Sequence, residues 1–276
     1  MKLFSPAKLN LFFRVLKKRG DGYHDIASLF QTISWGDILE IELAGQTRLT
    51  STDPTLPLDN TNLILKTFHL FLQKTGLSLD VSFHLEKKIP LEGGLGGGSS
   101  NAATTLWGLN ELTHRPATLQ NLIEWSSEIG SDVPFFFSQG SAYCTGRGEH
   151  IQSLSPLLKR SLWLAKPFYG LSTPCVYQNC EPSRLPLRDP HQILSDCLSG
   201  QSNYFNDLES SAFQLAPALA VFKQKLLELG FDQVVMTGSG TTFFCLGPVL
   251  SPQIEGVQFY PAYFINREVK TWYKTP

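Results

Sequence analysis

Pro90-Leu91-Glu92-Gly93-Gly94-Leu95-Gly96-Gly97-Gly98-Ser99-Ser100-Asn101-Ala102-Ala103 is the stretch on which the reading of this chain turns. Five of the six residues from Gly93 to Gly98 are glycine, two serines follow, and a helix-forming run opens at Asn101 and continues through Thr104, Thr105, Leu106 and Trp107. Upstream, Leu79, Val81, Phe83 and Leu85 alternate with polar residues, the period of a half-buried strand. The order is strand, glycine loop, helix. Without Cβ atoms the loop lets backbone N–H groups approach an anion, and the first helical turn adds unpaired amides and the positive end of its dipole. Together these make a phosphate cradle. Ser99 and Ser100 add hydroxyl donors, or one of them a ligand for a phosphate-bound metal. A flexible linker is the plain alternative, but linkers do not usually run straight into a helix start. No Lys follows the last glycine as in a Walker loop, so positive charge must come from elsewhere in the fold. Nor does the Gly93, Gly96 and Gly98 spacing fit G-x-G-x-x-G after a first strand.

The chain has 276 residues, enough for a large core and commonly two domains. Its 23 basic and 24 acidic residues leave a formal charge of -1, with no global attraction to nucleic acid or an anionic membrane. Any anion site is therefore local. Leu3 and Phe4 are too short an apolar run for a signal peptide, and no stretch approaches the length of a membrane span. Five cysteines with no C-x-x-C pair suggest a reduced, cytoplasmic protein. The six histidines stand singly, so a hard cation on phosphate is expected rather than a structural zinc, and no residue pattern marks its ligands.

Outward from the loop, Leu9, Leu11, Phe13, Val15 and Leu16 predict a strand ending in the basic turn Lys17 to Gly22. Lys8 and Asn10 fall on the face opposite Leu9 and Leu11, which is either a solvated face or a pair of site residues. Tyr23 and His24 follow: a ring beside an imidazole that could stack on a planar base, or a core Tyr with a solvent His. Ile26 to Thr32 and Ile38 to Leu43 read as two strands parted by Trp35-Gly36-Asp37. Asp59 to Asn62 caps a helix closed by Gly76, and Pro116 to Gly130 is another helix. Asp132 lies between that helix and the strand-like Phe135-Phe136-Phe137, where a partly buried carboxylate needs a cation or donors, unless it only closes an Asx turn. Gly140 to Gly148 is a strand with a glycine turn, and Arg147 a second candidate for contacting an anion. Beyond a boundary near residues 150 to 160 come a strand at Leu162 to Ala165, a short helix near Ser172 to Tyr177, helices from Ser210 to Ala220 and Phe222 to Leu229, and a hairpin. The hairpin strands flank Thr237-Gly238-Ser239-Gly240-Thr241, a tight turn whose backbone could close over a ligand. Tyr260 to Lys270 looks like a last edge segment.

Three of these stretches, Ser5 to Leu11, Pro90 to Ala103 and Gly238 to Thr241, resemble the motifs of the GHMP family, the small-molecule kinases typified by galactokinase, homoserine kinase, mevalonate kinase and phosphomevalonate kinase. Pro6 to Leu11, Arg19 to His24, Gly96 to Ala103 and Ser131 to Pro134 are similar to one branch of it, whose substrate is a cytidine diphosphate-linked methylerythritol of the non-mevalonate isoprenoid pathway. The resemblance implies a two-domain α+β fold: a ribosomal-protein-S5-like ATP-binding domain over residues 1–155 and a ferredoxin-like substrate-binding domain over 156–276, with the site in the cleft between them. It implies ATP and Mg²⁺, transfer to the C2 hydroxyl, no nucleic-acid or membrane partner, and a monomer or weak homodimer. Lys8 and Asp132 fall on the catalytic pair and Asn10 on a substrate-positioning residue. Tyr23 and His24 fall on those that hold the cytosine. Leu91, Gly93, Gly94, Leu95, Gly96, Gly97, Gly98, Ser99, Ser100 and Asn101 fall on the ATP loop, and Gly238, Ser239, Gly240 and Thr241 on the third motif lining the cleft. Glu92 departs from the family's small residue; it is expected to turn outward, to pair with Lys87 or Lys88, or to approach Mg²⁺. A homoserine or mevalonate class kinase, or a non-catalytic ATP-binding regulatory module, is the alternative.

Overall fold

The computed structural model describes residues 1–201 and 204–276. Its first sheet has seven strands: β1 (Lys2–Lys18), β2 (His24–Ala44), β3 (Arg48–Ser51), β4 (Asp80–Glu86), β5 (Ser141–Gly146), β6 (His150–Ser153) and, from much later in the chain, β8 (Phe205–Asn206). The order β3-β4-β2-β1-β8 is antiparallel at its centre, with β5 and β6 extending from the other half of β2. The second sheet has the order β11-β7-β10-β9, from β7 (Ser161–Pro167), β9 (Gln233–Met236), β10 (Phe243–Leu246) and β11 (Val257–Tyr263). Helices α1 (Leu63–Thr75), α2 (Gly97–Leu112) and α3 (Leu119–Ile129) pack on the first sheet. The second part adds α4 (Thr173–Gln178), α5 (Pro190–Leu198), α6 (Glu209–Leu215) and α7 (Pro217–Glu228).

Side-chain alternation sets the layers. On β10, Phe244 and Leu246 join the cluster shared with Leu9 and Leu11 of β1, while Phe243 and Cys245 turn the other way to Leu219, Phe222 and Leu226 of α7. The first sheet has Phe30, Ile41 and Phe83 against Ala102, Leu106 and Leu109 of α2. The order is helices, sheet, sheet, helices, and β1 is buried from Phe4 to Val15. A strand covered on both faces has no solvated side, so the surface reading of Lys8 and Asn10 falls: they are 3% and 0% exposed.

Several elements differ from expectation. Ile26 to Thr32 and Ile38 to Leu43 belong to one continuous strand, because at Gly36 a Cβ would stand 2.4 Å from the Ser5 carbonyl and 2.6 Å from the Phe4 ring; its absence lets β1 cross there. The register slips between Pro6 and Lys8 at that crossing. Phe135 to Phe137 is no strand but a short 3₁₀ turn, Pro134–Phe137, with Pro at its start. The glycine-loop helix begins at Gly97, inside the glycine run, rather than at Asn101. The later helix pair breaks at Ala216, before Pro217, rather than near residue 221. After β11 the chain crosses back, Ile265 N–H donating to the Thr32 carbonyl at 3.0 Å and Trp272 Nε1 to the Phe4 carbonyl at 2.8 Å.

Candidate active site

Four chain segments meet at the middle of β1. Lys8 donates its backbone N–H to the Leu95 carbonyl of the glycine loop at 2.9 Å. Its Nζ lies 3.1 Å from Asp132 Oδ2, 2.9 Å from Asn10 Oδ1 and 4.3 Å from the Phe30 ring centroid. Asn10 is held in turn, its Nδ2 donating to Ser28 Oγ at 2.9 Å and that hydroxyl to the Phe12 carbonyl at 2.6 Å. Asp132 sits in the turn between α3 and the 3₁₀ segment, with its side chain 31% exposed. A Cβ on Gly148 would stand 3.2 Å from its Oδ1, so a glycine gives the carboxylate room. Lys8 and Asp132, 124 positions apart in the numbering of the chain, are therefore one buried-to-exposed ion pair.

The glycine loop is braced from both sides. Gly96, the N-cap of α2, has φ of 68°, and a Cβ there would meet Lys8 Cγ at 2.9 Å. The first bond of α2 runs from Ser100 N–H to the Gly96 carbonyl at 2.9 Å, so the amides of Gly97, Gly98 and Ser99 belong to the free first turn. The Ser100 hydroxyl is buried without a hydrogen-bond partner among the described residues. Beneath lies a group that sequence reading passed over. Asp37, fully buried, accepts the N–H groups of Lys88 and Ile89, each at 2.7 Å, Lys87 Nζ at 2.8 Å and Asn101 Nδ2 at 3.0 Å. Lys87 Nζ also donates to the Ile89 carbonyl and lies 3.2 Å from where a Gly97 Cβ would be, a cation under the helix start. Leu95 and Asn101 thus face protein: Leu95 is buried and the Asn101 amide is spent on Asp37. Leu91 and Glu92 are exposed. Glu92 has φ of 54° and an oxygen beside Gly170, and its charge is felt at Lys166; among the described residues Lys87 pairs with Asp37 instead.

The third motif closes over this loop. Gly94 has φ of 74°, and a Cβ would fall 2.0 Å from the Thr237 carbonyl; on Gly240 it would fall 2.2 Å from Gly94 N. Only glycine permits the two backbones to touch. Thr237 Oγ1 accepts the Asn10 N–H at 3.2 Å and lies 3.3 Å from the Gly94 carbonyl. Ser239 Oγ is 2.7 Å from Thr173 Oγ1 of α4. Thr241 Oγ1 accepts Lys166 Nζ at 2.9 Å and donates to the Tyr169 carbonyl at 2.7 Å. Burial lowers the Lys166 pKa, partly opposed by Glu92.

On the other side of Asp132 is a cavity of about 430 Å³ whose walls include Tyr23, His24, Ser131, Arg147, Thr173 and Tyr177. Tyr23 is 56% exposed, so it is no core residue, and the Arg147 guanidinium stands 5.0 Å from its ring centroid. Arg147 therefore lines this cavity beside Tyr23. His24 is 4% exposed, 5.4 Å from the Tyr177 ring, and neither ring nitrogen has a hydrogen-bond partner among the described residues. Burial holds its pKa below the usual histidine value, with the Lys18 cation adding to the effect. Burial likewise pushes the Tyr177 phenol well up. Tyr177 was visible in the sequence only as part of a short helix.

A two-layered sheet core, a glycine loop opening a helix and a second glycine turn laid against it define a small-molecule kinase architecture, and comparison with known proteins agrees. The GHMP kinases N terminal domain profile matches residues 62–140. A 4-diphosphocytidyl-2-C-methyl-D-erythritol kinase of Protochlamydia amoebophila is 51% identical over 276 residues, spanning 100% of this chain and 93% of the relative. The chloroplastic protein of that name from Arabidopsis thaliana is 43% identical over 294 aligned positions, covering 100% of this chain and 77% of its own length. A crystal structure of 4-(cytidine 5'-diphospho)-2C-methyl-D-erythritol kinase superposes with a TM-score of 0.80 at 31% identity, over 96% of this chain and 99% of that one. Homoserine kinase from Cytophaga hutchinsonii shares the fold, with a TM-score of 0.73 at 17% identity over 98% of this chain and 96% of its own. The chain belongs to the 4-diphosphocytidyl-2-C-methyl-D-erythritol kinase family within the GHMP kinases.

Proposed function

We propose that this chain transfers the γ-phosphoryl group of ATP to the C2 hydroxyl of 4-diphosphocytidyl-2-C-methyl-D-erythritol, giving the 2-phosphate and ADP. One observation carries the reading: a cavity walled by the Tyr23, His24 and Tyr177 rings, with an imidazole whose polar atoms lack partners among the described residues, also has Ser131 in its wall, the residue before the carboxylate of the Lys8–Asp132 pair. Residues 1–155 supply the nucleotide loop and Lys8. Residues 156–276 supply Tyr177 and the third motif, and are taken as the substrate-binding half. A cytosine stacks on Tyr23 with Tyr177 and His24 as the inner wall, and the diphosphate and polyol lead toward Asp132.

Phosphoryl transfer asks a protein for alignment and for donors around spreading negative charge more than for covalent chemistry. Asp132 accepts the hydroxyl proton as the substrate oxygen bonds to the γ-phosphorus and the bond to the leaving ADP oxygen breaks. Lys8, with its amine shared between Asp132 and Asn10, holds the carboxylate in line and places a cation beside the forming bond. The free amides of Gly97, Gly98 and Ser99 hold phosphate oxygens, with the Lys87–Asp37 pair bracing the helix start beneath. Among the described residues no three His, Cys, Asp or Glu side chains gather into a metal-holding group. The residues present fit a Mg²⁺ brought in with ATP, which the unpartnered Ser100 hydroxyl and the Asp132 carboxylate would help to hold. When bound, it would draw charge from the phosphates.

Coupled ADP release tests the reading. The cytidylylated methylerythritol should be turned over with kcat/KM at least about 10³-fold above homoserine or mevalonate, since a polar pocket left unfilled discriminates strongly. Equal turnover of all three, or none of any, would refute it.

A further inference from the structure

Asn206 lies on β8, the two-residue strand that the later half of the chain adds beside β1 at Phe12 and Phe13. It is buried, and every polar atom of its side chain is spent on backbone. Nδ2 donates to the Met236 carbonyl and to the Gly238 carbonyl, both at 2.7 Å, and Oδ1 accepts the Leu208 N–H at 2.9 Å. The two carbonyls flank Thr237. A carboxamide has two N–H groups in a fixed plane, so holding one carbonyl on each side sets the orientation of the intervening residue. Thr237 is the residue whose hydroxyl accepts the Asn10 N–H at 3.2 Å and faces the Gly94 carbonyl at 3.3 Å and Asn10 Oδ1 at 3.5 Å.

We propose that Asn206 is a positioning residue for phosphoryl transfer: it fixes the backbone at Thr237, and through the Thr237 hydroxyl sets the gap between the catalytic strand at Asn10 and the glycine loop at Gly94. The chain of contacts is Asn206, the Met236 and Gly238 carbonyls, Thr237, and then Asn10 on one side and Gly94 on the other. Gly238 is itself in the left-handed region, at φ of 57°, with its Cα face against the Gly94 carbonyl. Its peptide can rotate at little steric cost, so an external clamp is needed to hold it. Leu208 N–H pins the clamp from behind. The neighbouring Asp207 has a separate task. Its Oδ2 takes Arg14 Nη1 at 2.5 Å and the Val15 N–H at 3.0 Å, which joins β8 to β1 away from the loop.

None of these contacts reaches Tyr23, His24 or Tyr177, so a defect here separates the nucleotide side from the base side. The inference rests on the kinase reading above, and its test is built to fail separately. Asn206→Asp keeps size and the acceptor toward Leu208 but turns an oxygen on both carbonyls, since a single nitrogen serves the two. Its kcat should fall about 10- to 100-fold with weakened ATP binding, while KM for the cytidylylated substrate stays within two-fold. Thr237→Val cuts the next contact and should do the same. The double variant should lose no more than the worse single one, because both break one chain of contacts. Asp207→Asn serves as the contrast, with a lower melting temperature and unchanged kcat in the folded protein. Losses that multiply in the double variant, a parallel rise in KM for the cytidylylated substrate, or a full-rate Asn206→Asp enzyme would overturn the proposal. If wild type shows no turnover, the kinase reading fails, while calorimetric ATP affinity still decides for or against the Asn206 clamp.

Discussion

Two lysine–aspartate pairs lie on either side of the glycine loop, and they differ in how much of each carboxylate is spoken for. Lys87 meets Asp37 at 2.8 Å and Lys8 meets Asp132 at 3.1 Å. Asp37 is fully buried and takes two backbone amides and an Asn101 amide besides its lysine. Asp132 has one ion-pair partner and an exposed edge. A carboxylate whose lone pairs are all engaged can hold a loop but has nothing free with which to take a proton. One with an open edge can do chemistry and contributes little to the fold. The same two residue types, at nearly the same separation, are thus a saturated brace in one place and, on the proposed reading, the reactive group in the other.

The contrast breaks most sharply at Asp132. Asp132→Asn should lower kcat by roughly 10²- to 10⁴-fold, the range for loss of a general base, with the melting temperature almost unmoved. Steady-state kinetics beside a thermal scan would check both halves. A variant with wild-type kcat would remove Asp132 from the proton-accepting role. Lys8→Met should bring a comparable loss, and the double variant little more than either alone, since the two act as a unit.

Asp37→Asn should behave in the opposite way. Its amide would turn a donor toward the N–H groups of Lys88 and Ile89 or toward Lys87, leaving a buried cation or amides unpaired. Breaking one side of a buried pair costs about 3–5 kcal/mol, so urea unfolding should shift by that order. The folded fraction should retain chemistry with weakened ATP binding. If stability is unchanged while kcat collapses, the assignment of brace and reactive group is reversed.

How much of this was legible in the sequence follows from how far each partner lies along the chain. The α1 cap is local: Asn62 accepts Ile64 N–H at 2.9 Å and Gly76 ends the helix at φ of 71°, both as expected from neighbours. The glycine loop, a local composition signal, was readable for the same reason. Asp37 was read only as part of a break between strands, because its partners are 50 to 64 residues away. Trp35-Gly36-Asp37 looks like a turn in isolation, and only the crossing of Phe4 and Ser5 explains the glycine. The roles of Asn206 and Trp272 were silent for the same cause: the carbonyls that Asn206 clamps lie 30 and 32 positions away, and the one that Trp272 reaches lies 268 away. Lys8, Asp132, Tyr23 and His24 entered as site candidates through local pattern and then through family resemblance, and their meeting in space was a matter for the fold.

A third region sharpens the comparison, since the base pocket should affect binding rather than chemistry or folding. Tyr23 is more than half exposed and its ring contacts only the Arg147 guanidinium among the rings and cations described. Tyr23→Ala should raise KM for the cytidylylated substrate about 5- to 150-fold, the equivalent of roughly 1–3 kcal/mol of lost stacking, and leave kcat near wild type. An unchanged KM would mean that the ring does not meet the base.

The smallest effect belongs to His24 and is read in acid. Burial and the Lys18 cation hold its folded-state pKa below 6.5, while in the unfolded chain it titrates near that ordinary value. On acidification the unfolded state therefore binds the proton first. The stability that goes with a neutral His24 is fully present above about pH 6.5 and is lost as the pH falls toward the depressed folded value. A His24→Gln variant lacks this term, so its melting temperature should fall less between pH 7 and 5 than that of wild type. Parallel curves for the two proteins would mean that the imidazole takes up its proton in the folded state as easily as in water. The pocket would then be wetter than its unpartnered ring nitrogens imply, and a polar base edge would gain less by displacing that water.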